Sequence, residues 1–285
     1  METLMLQEES KAMTASKLKF IALITMTLDH IDKIFGQAFW LLIFPGELIA
    51  TSYLGTLLGW IGRMTFPVYA YFIAEGCSKT KNMPKYIGRL FLFALLSAPF
   101  YAFAMHENLS ESGLVAHLLN GIQHLEIGNV FLTLAAGASA IYVYQLAERK
   151  MGRKAFFIAV PALVVFMLIA ESQHSDYGML GVLLIFVLYL CKSNRSKAIT
   201  IVLWSFGFYM LYAAWNGSQF AWLNPRFHTA ILPVANFLFS SAAAMLLFRY
   251  NGKRGKSSKW LFYLYYPAHL FVLGIMCYGF TALLS

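Results

Sequence analysis

Hydrophobic residues fill long stretches of this chain, and short polar or Gly/Pro-containing segments separate them. Most stretches are near the roughly 20 apolar residues that a membrane-spanning helix needs. The apolar segments cover residues 18–36, 53–76, 87–105, 128–147, 155–171, 177–191, 198–216, 229–248 and 260–284. This pattern predicts an all-α fold, a polytopic transmembrane helical bundle of about nine spans.

Three apolar stretches fit this pattern less well. Segments 155–171 and 177–191 are short for spans, and the alternative is a tight hairpin or a partly re-entrant pair. Stretch 38–50 is interrupted by Pro45 and Gly46, which predicts an interfacial position. No internal repeat or low-complexity linker divides the chain, so we expect a single domain over residues 1–285.

The composition supports a membrane protein. Hydrophobic residues make up 59% of the chain and charged residues 12%, and the mean hydropathy is +0.62. A soluble domain carries about 25% charged residues. The first 16 residues lack the features of a cleaved signal peptide, so we expect the first apolar segment to act as a signal anchor.

The positions of the basic residues indicate the orientation of the chain in the membrane. The chain contains 22 Lys and Arg against 13 Asp and Glu, and 19 of the 22 basic residues fall on one side of a nine-span arrangement. They lie in residues 11–19, 79–89, 149–154, 192–197 and 249–259. By the positive-inside rule these segments and the N-terminus face the cytoplasm. The positive charge therefore reports topology in a lipid bilayer, and no nucleic-acid partner is expected.

The first apolar helix carries a cation and a histidine on one face. Lys19 and His30 are 11 residues apart, which is about 20° from three full turns and roughly 16 Å along the axis. An ionisable group near mid-membrane costs about 2.5–3.5 kcal/mol, so its presence favours a function. With an ordinary pKa of about 6.5, His30 is suited to act as a general base.

Other titratable residues lie within or near the ends of the apolar segments. The structural alternative to a catalytic role is that they pair with one another. Asp29 and Lys33 have the i,i+4 spacing of an ion pair, and Asp29 and Arg63 are candidates for a bridge between helices. His269 lies at similar predicted depth, where the alternative is a buried histidine bonded to a neighbour. Glu75 closes its segment near the cytoplasm.

Asp176 immediately precedes segment 177–191. Because a carboxylate stabilises a helix N-terminus, we expect Asp176 to act as a helix cap. The histidines outside the spans fit no metal-ligand spacing, so no metal site is expected.

Several motifs in this chain are similar to those of one known family. They are LKFIALITMTLDHI (18–31), IGRMTFP with AEG (61–76), GNVFLTL (128–134), DYGMLG (176–181) and KWLFYLYYPAHL (259–270). In this order the motifs resemble the TraX family, known for acetylating conjugative pilin. Asp32 is a departure, because the family pattern leads us to expect glycine there.

The resemblance extends to the integral-membrane acyltransferase superfamily, in which a basic residue, ten residues and a histidine follow one another in the first helix. Lys19 and His30 meet this spacing, with lysine where arginine is commoner. The resemblance implies a multi-pass protein of the bacterial cytoplasmic (inner) membrane. It implies acetyl-CoA as the cytoplasmic acyl donor and an extracytoplasmic or membrane-embedded acceptor. A peptide N-terminus, a glycan hydroxyl and a small molecule are the alternatives for that acceptor.

Within that interpretation, residues receive expected roles. His30 is the expected general base, Arg63 an oxyanion stabiliser, and Asp29 and His269 further catalytic residues. The expected cofactor-binding residues are Lys19, Glu75, Lys79, Lys81, Lys85 and Arg89.

Two other function classes fit the same sequence. Asp29, His30 and Arg63 inside helices also suit the relay of a proton-coupled transporter, although no inverted repeat is visible. An assembly or scaffold protein of a secretion apparatus, without enzymatic activity, is the third hypothesis.

Overall fold

The computed structural model describes residues 13–43, 48–105, 127–212, 227–256 and 259–284. Within these ranges the regular structure is helical, apart from one isolated bridge between Met13 and Tyr250. The helices are α1 (Ala15–Ile43), α2 (Leu48–Gly62), α3 (Thr65–Lys79), α4 (Met83–Met105), α5 (Val130–Met151), α6 (Phe156–Ser172), α7 (Gly178–Leu190), α8 (Asn194–Phe206), α9 (Phe227–Phe248) and α10 (Lys259–Leu284). The all-α prediction is confirmed.

Three helical stretches in the described part are long and apolar enough to cross a membrane: Met83–Met105, Val130–Ser172 and Trp260–Phe280. The second comprises α5, a 3-10 turn and α6. The α6 helix exposes large apolar side chains, with Phe157 80% and Leu168 58% exposed, as expected of a lipid-facing helix. Nine spans and a cytoplasmic N-terminus stay predictions.

The predicted segment 53–76 is broken into two helices, because α2 ends at Gly62 and α3 begins at Thr65. Pro67 lies in the first turn of α3, where a missing backbone N–H has no helical partner to lose. A Cβ on Gly62 would lie 2.3 Å from Cβ of Asp29, so glycine permits the end of α2 to approach α1 closely. The break places Arg63 in the interior of the bundle.

The predicted interfacial stretch 38–50 is helical on both sides of residues 44–47, which lie outside the described residues. The backbone of α1 departs from helical geometry at Gly36, which kinks the helix. Helices α6 and α7 pack against each other as a pair joined by residues 173–177.

The helices pack around a central space. Helix α1 contacts α2, α3 and α10, and α3 also contacts α5, α7 and α9. Helix α4 packs against α5 and α10. Helices α1, α3, α4, α5 and α10 thus form the walls of a central cavity.

Candidate functional site

The walls enclose a cavity of about 410 Å³. Lys19 and Arg89 line one end, close to the starts of α1 and α4. His30 lines it further along α1. We call the Lys19 side the basic end; by the positive-inside prediction it faces the cytoplasm. The opposite side is called the distal end and is lined by Asp29, Lys33, Arg63 and Asp176.

His30 forms a hydrogen bond with His269 from α10, with 2.7 Å between Nδ1 of His30 and Nε2 of His269. The two rings also stack, with centroids 4.9 Å apart. On its other side, Nδ1 of His269 lies 2.9 Å from the carbonyl oxygen of Tyr265. A histidine on α10 is therefore held directly against the histidine predicted to act as a base.

This chain of contacts determines where the protons lie. The carbonyl oxygen of Tyr265 only accepts, so Nδ1 of His269 carries the proton and donates it. Nε2 of a neutral His269 is then the acceptor, and Nδ1 of His30 is the donor. In the neutral state Nε2 of His30 is left with its lone pair, which is the form that a general base requires.

Asp29 forms the predicted ion pair with Lys33, with 2.7 Å between Oδ2 and Nζ. Its other oxygen, Oδ1, is buried and has no hydrogen-bond partner among the described residues. The predicted bridge between Asp29 and Arg63 is wrong, because Nε of Arg63 instead donates to Oδ1 of Asn236 on α9, at 3.2 Å. Arg63 is an electrostatic neighbour of Asp29 but forms no ion pair with it, and Tyr209 and Tyr177 are its other electrostatic neighbours.

The prediction that Asp176 caps the following helix is also wrong. The backbone N–H of Met179 in the first turn of α7 donates instead to Oε2 of Glu171, at 3.0 Å. The Asp176 side chain accepts a hydrogen bond from the Tyr101 hydroxyl at 3.3 Å and lines the cavity. Its burial raises the pKa of Asp176 above the ordinary value.

The turn at 173–177 holds Asp176 in this position. Its backbone N–H donates to the carbonyl oxygen of Gly128 at 3.1 Å, and the Thr133 hydroxyl donates to its carbonyl oxygen. Tyr177 has a left-handed backbone conformation, and its ring stacks on Phe66 at 3.9 Å between centroids. Sequence reasoning therefore missed Asp176 as a cavity residue, although it lies within the DYGMLG motif.

At the basic end, Nζ of Lys19 lies 4.8 Å from the centre of the Phe72 ring and 5.4 Å from that of Phe262. Arg89 lies over the Tyr86 ring at 5.8 Å, and its buried Nε has no partner among the described residues. Lys19 and His30 line one cavity, so the predicted shared face of α1 is confirmed.

The remaining residues predicted to bind the cofactor lie outside the cavity lining. Glu75 forms an ion pair with Lys79 at 2.8 Å, and its second oxygen accepts from the Tyr250 hydroxyl at 3.2 Å. Lys81 and Lys85 are exposed. The structure therefore brings Lys19 and Arg89 to the cavity and leaves these lysines on the surface of the α3–α4 connection.

Aromatic side chains line the cavity between its two ends. They are contributed by α3, α4, α5 and α10, and they include Tyr69, Tyr86, Phe131, Tyr263 and Tyr266. The basic end has cations without acidic side chains in its lining, whereas the distal end has both cationic and acidic side chains. With aromatic walls between them, such a cavity suits an elongated molecule whose negative charge lies at the basic end. His30 is within reach of the other end of such a molecule.

Comparison with known proteins identifies the family. The family model described as TraX protein matches residues 14–277. The chain belongs to the TraX family. This TraX-family protein is also 26% identical, over 265 residues, to a probable fimbrial assembly protein FimC, serogroup H1, of Dichelobacter nodosus. That alignment covers 91% of the chain and 94% of the relative. No solved structure matches the chain significantly.

Proposed function

We propose that this TraX-family protein is a membrane-bound acetyltransferase. It moves an acetyl group from cytoplasmic acetyl-CoA to an amine or hydroxyl of a membrane-embedded or extracytoplasmic acceptor, such as a pilin-like peptide N-terminus or a glycan. The observation that carries this proposal is the hydrogen bond between His30 and His269, which leaves Nε2 of His30 basic in a cavity whose basic end is lined by Lys19 and Arg89.

The donor enters from the basic end. The negative charge of the coenzyme is stabilised there by Lys19 and Arg89, and the uncharged pantetheine arm lies against the aromatic walls. Lys19 and His30 are roughly 16 Å apart along α1, at 1.5 Å per residue. The thioester is thereby directed toward His30.

In the transfer step, Nε2 of His30 accepts the proton of the acceptor nitrogen or oxygen as that atom attacks the acetyl carbonyl. Arg63 stabilises the negative charge that develops on the carbonyl oxygen. The bond between carbon and sulfur breaks, and the coenzyme leaves as a thiolate that takes the proton from His30. Asp29 lies beside His30 in the chain and holds Lys33, so this pair borders the distal route of the acceptor.

The experiment measures acetyl-CoA binding and hydrolysis by purified protein in detergent. We expect Lys19→Ala to weaken binding and His30→Ala to bind normally but lose turnover. Lys150→Ala removes an exposed lysine from the end of α5, remote from the cavity lining, and is the matched control. Normal turnover by a folded His30→Ala protein would contradict the proposal.

The acidic and basic side chains at the distal end favour a second candidate, a proton-coupled transporter that uses Asp29, His30 and Arg63 as a relay. Proton-dependent flux in proteoliposomes, without acetyl-CoA binding, would favour it over the acetyltransferase.

The name of the Dichelobacter nodosus relative favours a third candidate, a role in fimbrial or pilus assembly without catalysis. Stable co-purification with a pilus complex, together with full function of His30 and Arg63 variants, would favour this role.

A further inference from the structure

The linker between α9 and α10 is attached to the start of α1. Its carbonyl groups accept hydrogen bonds from the backbone that leads into α1, and the Ser16 hydroxyl also donates to the Arg254 carbonyl oxygen at 2.7 Å. The backbone bonds run from Met13 N to Arg249 O (2.7 Å), Asn251 N to Met13 O (3.0 Å), Ala15 N to Lys253 O (3.0 Å) and Ser16 N to Arg254 O (3.0 Å). These contacts fix the linker beside the basic end of the cavity.

Gly255 is required for this attachment. Its φ of +76° is one that residues with side chains rarely adopt, and a Cβ there would lie 2.5 Å from Oγ1 of Thr14. Gly252 has nearly the same φ, +75°, but a Cβ there would meet nothing within 4 Å. A comparison of substitutions at Gly252 and Gly255 therefore separates the effect of backbone conformation from the effect of contact with the residues that lead into α1.

The linker packs against the wall of the cavity. The Tyr250 ring packs edge-on against Phe72, with centroids 5.5 Å apart. Phe72 lines the cavity and lies beneath Nζ of Lys19. Tyr250 therefore joins the linker to the part of the cavity wall that lies beside Lys19.

The fold also brings two cations together here. Arg254 is a repulsive electrostatic neighbour of Lys19, and Glu75 is an attractive neighbour with the larger effect. Glu75 already pairs with Lys79 and accepts from Tyr250. Arg254 is exposed and forms no ion pair with any residue that the structure describes. An anion between Lys19 and Arg254 would relieve the repulsion.

We propose that Arg254 binds a phosphate group of the nucleotide part of the acyl donor, on the outer side of Lys19; this rests on the proposed function, in which acetyl-CoA is the donor. A guanidinium group binds phosphate with two parallel hydrogen bonds, which suits Arg254 to that role. The phosphates then lie on the α9–α10 linker, and the surface lysines of the α3–α4 connection contribute little. The same chemistry has a second source, the phosphate of an anionic lipid headgroup.

The test uses the full-length protein in nanodiscs made of zwitterionic lipid. Affinity is measured for acetyl-CoA, for acetyl-pantetheine, which lacks the nucleotide, and for adenosine 3′,5′-bisphosphate as a competitor. We expect Arg254→Ala to weaken binding of acetyl-CoA and of the bisphosphate about tenfold, as for loss of a charge-assisted contact. Acetyl-pantetheine binding stays unchanged, because it carries no phosphate. Arg153→Ala, an exposed arginine after α5, is the control and leaves all three affinities unchanged.

Moving the linker without changing charge gives a second test. We expect Gly255→Ala to weaken acetyl-CoA binding severalfold, because the new Cβ displaces the linker from Thr14. Gly252→Ala has similar backbone strain without that contact and retains the affinity.

Unchanged acetyl-CoA affinity in Arg254→Ala would overturn the proposal while leaving the donor assignment intact. The proposal is also overturned if Arg254→Ala reduces co-purified anionic lipid and leaves acetyl-CoA affinity unchanged, because the site then binds a headgroup. If the wild-type protein binds no acetyl-CoA, the proposed function and this inference both fail.

Discussion

Nδ1 of His30 and Nε2 of His269 are 2.7 Å apart, although 239 residues separate them in the chain. The contact holds the imidazole of His30 in one orientation and one tautomer. In the proposed reaction His269 acts through His30 and is a positioning residue. This distinction leads to the first prediction.

We expect His269→Ala to lower the rate of acetyl-CoA hydrolysis about a hundredfold, because the base at position 30 loses its fixed tautomer. The dissociation constant of acetyl-CoA stays unchanged, because His269 does not line the cavity. His269→Gln restores part of the rate, since an amide oxygen can accept from Nδ1 of His30. Equal rates in the Ala and Gln variants would contradict the positioning role.

The second prediction concerns pH and Asp176. Burial raises the pKa of Asp176 above the ordinary value of 3.8, so the folded protein holds the carboxyl proton more strongly than the unfolded chain does. Ionisation then costs more in the folded than in the unfolded state, and stability falls as pH rises from about 4 to the raised pKa. Asp176→Asn keeps an acceptor for Tyr101 and does not ionise. We expect its gain in melting temperature over wild type to be smallest near pH 4 and to grow toward pH 7. A gain that is the same at every pH would contradict this account.

The third prediction tests the close approach of α2 to α1. Gly62→Ala places a Cβ 2.3 Å from Cβ of Asp29, so we expect the free energy of unfolding in mixed micelles to fall by about 1–3 kcal/mol. Gly59→Ala in the same helix is the control, because its nearest neighbour, Oδ2 of Asp32, is at an ordinary 3.5 Å. Because alanine favours the helix more than glycine does, a loss is expected only at position 62. Comparable changes in both variants would show that the contact with Asp29 does not set the effect.

The fourth prediction concerns Asn129, which is fully buried at the start of α5. Its Oδ1 accepts from the backbone N–H of Phe131 at 3.0 Å, and its Nδ2 donates to the carbonyl oxygen of Ala94 at 2.8 Å. We expect Asn129→Ala to cost about 2–4 kcal/mol of unfolding free energy, because a cap is lost and the buried Ala94 carbonyl loses a donor.

Asn82 provides the comparison for that variant. It accepts from the backbone N–H of Lys85 at 2.9 Å but is exposed, so Asn82→Ala is expected to cost about 1 kcal/mol. If Asn129→Ala loses no more stability than Asn82→Ala, the hydrogen bond from Asn129 to the Ala94 carbonyl oxygen does not contribute to stability.

Local patterns in the sequence were enough to predict several features of the site. The helical repeat places Lys19 and His30 on one face of α1, and both line the cavity. The i,i+4 spacing predicted the ion pair between Asp29 and Lys33. These features depend on residues in one helix, whose geometry is set by its own backbone hydrogen bonds.

Expectations that depended on more than one segment were less successful. The predicted bridge between Asp29 and Arg63 is replaced by a bond to Asn236, which lies 173 residues from Arg63. The segment predicted to be continuous, 53–76, is broken between Gly62 and Thr65, where a new helix begins with Pro67 in its first turn. The hydropathy pattern does not reveal such a break, because the residues on both sides of it are apolar.

The sequence by itself therefore determined that the apolar segments are helical and that Lys19 and His30 share one face of α1. Tertiary packing decided that His269 contacts His30, that Asp176 enters the cavity while Glu171 interacts with the start of α7, and that the linker at Arg254 joins α1. The physical reason is that helical periodicity is encoded in neighbouring residues. Contacts between distant segments depend on how close the helices approach, and that is settled by packing along their whole length.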